Sequence, residues 1–277
     1  MDNTLTYQSP EFNGLTVYGQ YSFNQQGDQA AKVAKNDRYL ALGATYKRDK
    51  LTLVGVVDTI MYHNQPYEIR EHSYVTGADT VSIKDTLIAN RIALSVGGSY
   101  DFDVIKVYLS YQYAKHAKGA GVLTDKNFQT MYNEGEFSNV ASAAHPFASM
   151  ITNVNKRIPM MIDNANGLDV HSLGIGLDTP VGNGVIKAHL GYMQAKTHNP
   201  YTGAHINGAT FKVKAVGAAL GYEHNLSKTT LLYTGVGFNR SKFELAGSAN
   251  MFKFKLPFEA RIKQTNYEAM LGLVHKF

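Results

Sequence analysis

The feature that most constrains this chain is a two-residue alternation that returns about eleven times, with turn residues between the returns. From Leu15 to Phe23, Leu15, Val17, Gly19, Tyr21 and Phe23 share one face, while Thr16, Tyr18, Gln20 and Ser22 share the other. A period of two belongs to a β-strand with unlike faces, and the 3.6 period of a helix hardly occurs. The same texture recurs at Asn3 to Ser9, Tyr39 to Tyr46, Leu51 to Met61, Arg91 to Phe102 and Ile105 to Tyr113. It returns at Leu173 to Thr179, Val185 to Met193, Ala215 to Glu223, Thr230 to Phe238 and Tyr267 to Phe277. Segments of ~8 to 13 residues cross a bilayer as tilted strands.

The connections are expected to alternate in length. Pro10 to Gly14, Lys47 to Lys50, Asp103 to Val104, Val181 to Gly184 and Asn225 to Lys228 are short and hold Asn, Asp, Gly and Pro, the usual turn formers. Asn24 to Asp37, His63 to Ala89, Ala117 to Leu168, His198 to Lys212 and Ser241 to Lys263 are read as long loops. Outer-membrane barrels sort their loops this way, short inside and long outside.

The faces then take sides. Leu, Val and Ile hold the middle of the apolar face, and Tyr21, Phe23, Tyr46, Tyr100, Phe102, Tyr111, Tyr113, Tyr192, Tyr222, Phe238 and Phe277 stand near its ends, where interface girdles belong. The opposite face is rich in Gly, Ser, Thr, Gln and charge. Eleven or more strands enclose a lumen too wide for side chains to fill, so water occupies it and the polar face is the inner one. The fold expected is all-β, a transmembrane antiparallel β-barrel.

Composition narrows the classes. There is no cysteine among the 277 residues, which excludes a disulfide scaffold, a thiol enzyme and a zinc finger. No stretch of ~20 residues is apolar enough for a membrane helix; Ser138 to Asn155 lacks Asp, Glu, Lys and Arg but is broken by His145, Pro146 and other polar residues. The net charge is +5. No basic run is longer than two and no aromatic ladder accompanies one, so nucleic acid is not an expected partner. Met1-Asp2-Asn3 leads straight into a strand without a basic or apolar leader, as after removal of a signal or inside a longer protein.

The C-terminus, Leu271-Gly272-Leu273-Val274-His275-Lys276-Phe277, ends on Phe with apolar or aromatic residues before it at alternate positions. It resembles the signal read by the outer-membrane assembly machinery, carried by Leu273, His275 and Phe277. Asn3 to Leu15 looks like the strand and turn after the constriction loop of Gram-negative general porins. Asn225 to Tyr233 resembles the penultimate hairpin of that family, nearest its neisserial and beta-proteobacterial branch. The resemblance runs over nearly the whole chain, through specific motifs at the ends and texture in the middle. It implies a sixteen-stranded trimeric barrel, of which these would be the last eleven strands. Residues 1–277 would then be one porin domain, incomplete at its N-terminus, with residues 117–168 as a long extracellular loop. The family's acidic constriction loop and most of its basic wall would lie upstream, so neither transfers to any residue here.

Parity points Asp58, Arg91, Lys106, Tyr108, Asp178, Lys187, His189, Glu223 and Glu268 into the lumen, where wall charges bias permeation. Lys187 and His189 are expected to form a local basic stripe, and Gln20 shares that face. His63, His72, His116, His145, His171, His198 and His205 are expected in loops or near the outer rim, without metal-ligand spacing. Gly182 and Gly184 make a turn, not a phosphate loop. The long loop holds Phe128, Met131, Tyr132, Phe137, Phe147, Met150, Ile158 and Met160. It is expected to fold over or into the lumen, with a short helix near Pro146 to Asn155. The function expected is a water-filled channel passing small hydrophilic solutes and ions, anion-preferring on its net charge, without catalysis, metal or cofactor. Its expected partners are outer-membrane lipid, the assembly machinery and two further copies. The alternatives are an autotransporter-type translocator barrel, which needs a helix threaded from the N-terminus, and an adhesin or structural barrel.

Overall fold

The computed structural model describes residues 2–24, 37–62, 66–72, 79–85, 89–117, 167–200, 202, 206–251 and 254–276. The strands are β1 (Asp2–Gln8), β2 (Leu15–Asn24), β3 (Arg38–Arg48), β4 (Leu51–Met61), β5 (Pro66–His72), β6 (Asp79–Asp85) and β7 (Arg91–Asp101). They continue with β8 (Lys106–Ala117), β9 (Leu168–Val181), β10 (Gly184–Thr197), β11 (Ile206–Asn225), β12 (Thr230–Met251) and β13 (Phe254–His275). Eleven form one sheet in the order β1-β2-β3-β4-β7-β8-β9-β10-β11-β12-β13; β5 and β6 form a separate two-stranded sheet. Every neighbouring pair is antiparallel. Among the described residues β1 and β13 have one neighbour each, so the sheet is open.

The short turns fall where Asn, Asp and Gly predict them. Asn13 has φ 50° and Gly14 φ 85°, and the Lys47 amide donates to the Gly14 carbonyl at 2.9 Å. A Cβ on Gly14 would run into the Lys47 carbonyl, so both conformation and space demand glycine. Asp49 and Asp103 also take positive φ, which Asp tolerates better than most residues, and Lys50 pairs with Asp103 across the neighbouring turns. That bond holds the Lys50 ammonium above its ordinary range.

Residues paired across an antiparallel ladder point to the same side. Register therefore fixes both faces. On the outer face Leu42, Val57, Leu94, Tyr113 and His171 follow one another across β3, β4, β7, β8 and β9, and large apolar residues such as Leu190, Leu220, Val236 and Leu271 stand exposed. In water such a band would be a large unpartnered apolar surface; in a bilayer it is the lipid face. Aromatic rings bound it. Tyr100 and Phe102 meet at 4.7 Å on one edge, and Tyr21 and Phe23 at 4.8 Å on the other. Their polar tips find partners: Tyr111 Oη lies 2.8 Å from His171 Nδ1, and Tyr222 Oη lies 3.0 Å from His224 Nδ1.

Two expected loops are instead strand. His198 to Lys212 joins β11 from Ile206 onward, and of Ser241 to Lys263 the stretches up to Met251 and from Phe254 are strand. The strict alternation of short and long connections therefore fails between β12 and β13. In these extensions the faces exchange chemistry without changing phase. Along β12 the outer face runs Val236, Phe238, Arg240, Lys242, Glu244, while the inner face runs Gly237, Asn239, Ser241, Phe243, Leu245. Above the girdle the outside meets water, so burial favours the opposite side. Leu168, Ala195, Ala209, Phe211, Val213 and Phe243 form a buried cluster, and the Phe211 and Phe243 rings lie 6.3 Å apart. The span His63 to Ala89, read as a long loop, holds β5 and β6. The loop Asn24 to Asp37 and the long loop with its expected helix near Pro146 to Asn155 lie outside the described residues, apart from their ends.

Candidate functional site: the inner face of the sheet

The inner face carries a concave groove of about 790 Å³. Its floor is built from small and polar side chains in cross-strand rows. Gly97, Ser110, Gly174, Gly191, Gly217 and Asn239 form one row, each paired with the next from β7 to β12. Ser95, Gln112 and Ser172 stand in the adjoining row, with Gln112 donating to Ser95 Oγ at 3.2 Å. Small residues leave the groove open, and hydroxyls and amides keep it wet. Sequence reading missed Ser95, Gln112, Asn239 and Asn266 as wall residues. Their signal was parity alone, since none carries a charge.

Register places all nine sequence-predicted residues on this face, in three groups. Near the upper end of the wall Arg91 Nη1 donates to Asp58 Oδ1 at 2.9 Å, the two side chains being 23% and 10% exposed. Near the short-turn end five residues gather on four adjacent strands. Tyr108 donates to Asp178 Oδ2 at 2.9 Å, Lys106 Nζ lies 5.3 Å from the Tyr108 ring centre, and Lys187 Nζ lies 3.2 Å from Glu223 and 3.9 Å from Asp178. Mid-wall, His189 and Glu268 line the groove. The His189 ring lies over the backbone at Gly174, where a Cβ would meet Nε2 at 3.2 Å and Ser110 Oγ at 2.7 Å.

The basic stripe expected of Lys187 and His189 does not form. Lys187 is held between two carboxylates, and His189 packs on glycine in a different group. Overall the nine contribute Arg91, Lys106 and Lys187 against Asp58, Asp178, Glu223 and Glu268, an almost balanced wall. Among the described residues no group of three or more His, Asp or Glu is placed to hold a metal ion.

The family model for Gram-negative porins matches residues 1–244. This chain belongs to that family. Its place is therefore the bacterial outer membrane. Among solved structures it is similar to the anion-selective porin from Comamonas acidovorans, at 18% identity and TM-score 0.51, over 99% of this chain and 59% of that one. It is also similar to in-vitro folded OmpT of Vibrio cholerae in its trimer form, at 11% identity and TM-score 0.51, over 99% of this chain and 64% of that one. At these identities the likeness is one of fold, and the porin chain here spans about three-fifths of the length of either neighbour. No sequence relative is found among curated proteins. Of the three C-terminal residues expected to carry an assembly signal, Leu273 stands exposed on the outer face, His275 Nδ1 lies 2.9 Å from Thr230 Oγ1, and Phe277 lies outside the described residues.

Proposed function

We propose that this porin passes small hydrophilic solutes and ions by passive diffusion, without catalysis or cofactor. The observation that carries the reading is the row of Gly, Ser, Asn and Gln on the inner face, set back to back with an exposed apolar band. A wall of that kind solvates a solute without holding it, as diffusion requires. Asp58, Arg91, Lys106, Tyr108, Asp178, Lys187, His189, Glu223 and Glu268 line the water path in this reading. A closed wall needs partners for β1 and β13, because lipid satisfies no free strand edge. We infer that further strands complete the barrel, that Leu273, His275 and Phe277 are read during assembly, and that the assembled form is a homotrimer.

The anion preference expected from the net charge finds support in the +5 of the chain, but not in the inner wall, where the nine residues nearly cancel. Conductance in planar bilayers tests both statements. Stable ohmic steps are expected from the folded protein, with a small reversal potential in a salt gradient. Folded protein that inserts and conducts nothing overturns the channel reading.

A further inference from the structure

His189 is the one histidine among the nine wall residues, and it stands apart from their ion pairs. Its place in the register explains why. The row beneath it holds Asp101, Lys106, Asp178 and Lys187, each opposite the next across β7 to β10, and continues as Gly221 on β11. In its own row Gly176 and Ala219 stand on either side. Tyr108 lies beyond Gly176, and Glu268 lies beyond Gly237, three strands or roughly 14 Å away. The row above, from Gly97 to Asn239, carries no charge, and neither does the row of Ser95, Gln112 and Ser172 above that. The imidazole leans into these neutral rows. A Cβ on Gly174 would meet Nε2 at 3.2 Å, and one on Gly191 would meet Cε1 at 3.2 Å. The ring therefore lies over two residues without side chains. The acids nearest it are already engaged. Asp178 accepts from Tyr108 at 2.9 Å and faces Lys187 at 3.9 Å, and Glu223, two rows down on β11, holds Lys187 at 3.2 Å. Lys106 Nζ sits over the Tyr108 ring.

Imidazole is the side chain whose charge ordinarily changes between about pH 5 and 8. A charge on a wet pore wall biases permeation, and it acts over about one Debye length, ~10 Å at 0.1 M salt. We infer that His189 is the proton-controlled selectivity residue of this lumen. Charged in mild acid, it puts an uncompensated cation into the part of the wall where glycines leave a small ion room to approach. Neutral in mild alkali, it offers only a hydrogen-bonding ring. Lowering the pH therefore adds positive charge to the wall and moves permeability toward small anions. Glycine at position 174 keeps the arrangement open, since a Cβ there would meet Ser110 Oγ at 2.7 Å as well as the ring. The inference rests on the channel reading and deepens it, by naming the residue that tunes which sign of ion the wall favours.

The first readout needs no conduction. The chain has no cysteine, so Ser110→Cys places a lone thiol beside the His189 ring. The folded protein in neutral detergent is modified with an anionic and with a cationic methanethiosulfonate of similar size, from pH 8 down to pH 5. Both reagents consume the same thiolate, so the ratio of their rates cancels its titration and reports the local potential. The anionic-to-cationic ratio should rise about fivefold on acidification, and should stay flat when His189→Gln is added. A flat ratio in Ser110→Cys alone, or an equal rise with His189→Gln present, overturns the inference. The second readout is the reversal potential in a potassium chloride gradient across planar bilayers. Between pH 8 and pH 5 the chloride-to-potassium permeability ratio should rise about twofold more in the parent than in His189→Gln, and His189→Lys should hold the high ratio throughout. An equal pH response in parent and His189→Gln overturns the inference as well. His189→Asn takes the place of His189→Gln should that variant not fold. A thiol response in protein that inserts and conducts nothing separates the two readings: the channel falls, and the proton-controlled charge at His189 stands.

Discussion

Strands β11 to β13 pass through two environments, and the two stretches obey opposite rules with the same alternation. Below the Phe238 and Tyr267 pair the apolar residues Leu220, Val236 and Leu271 stand outside while Ala219, Gly237 and Glu268 stand inside. Above it Lys212, Lys242 and Arg261 stand outside while Val213, Phe243 and Ile262 stand inside. The backbone is indifferent to this exchange, since antiparallel pairing runs through both stretches, interrupted by a register shift between Asn207 and Thr210. The solvent facing the outer side decides which parity is greasy. In lipid the outside must be apolar, and in water the burial term turns that preference inward.

The largest expected effect comes from breaking the upper stretch from within. Val213→Lys puts an unpaired charge at a site 1% exposed and should cost about 4 kcal/mol or more, read as lost protease resistance of the extensions. Phe243→Ala should cost ~3 kcal/mol, from lost burial and the cavity left behind. Next comes the lower stretch from outside. Leu220→Lys on the lipid face should cost ~2 to 4 kcal/mol in folding titrations into bilayers, while Lys212→Leu, on the same strand face above the girdle, should stay within about 0.5 kcal/mol. Equal costs for the last two would break the comparison.

Smaller effects sharpen it. Lys187→Gln leaves Asp178 and Glu223 without their shared cation. It should shift the reversal potential toward cations by a factor of two or so in permeability ratio, with stability changed by less than about 1 kcal/mol. The least concerns pH. Glu244, in the upper stretch, is held below the ordinary carboxylate range, first by the bond from Lys242 and then by the Lys242, Arg261 and Lys212 charges. A depressed carboxyl stabilises the fold at neutral pH, and that contribution is lost as pH falls from the ordinary carboxylate range through its lower folded value. The group lies at the protein surface with its side chain 27% exposed, so the slope should be shallow, should weaken with salt, and should vanish in Glu244→Gln, as measured by thermal melts between pH 6 and about pH 3.

The exchange of faces also explains where sequence reading stopped. Residues 198 to 212 and 241 to 263 look like loops when one parity is required to stay apolar throughout. Phe211, Val213, Phe243 and Leu245 alternate correctly, but on the side the lower strands give to Gly and Ser. Only cross-strand register ties Phe243 to Val213 and both to the inner face. The balance of the wall was hidden for the same reason. Lys187 and His189 look like a stripe in a list of residues, but Asp178 and Glu223 reach Lys187 from neighbouring strands.

By itself the sequence determined the strand texture, the short turns at Gly14, Asp49 and Asp103, the apolar band with its aromatic borders, and the parity of all nine wall candidates. Those are local properties, set by a period of two and by residues that accept positive φ. The tertiary structure alone decided the length of β11 to β13, the partner of each wall charge and the depth at which the two faces trade roles. Each of those depends on which residue stands across the ladder, a distance of ~5 Å in space between positions tens of residues apart in the chain.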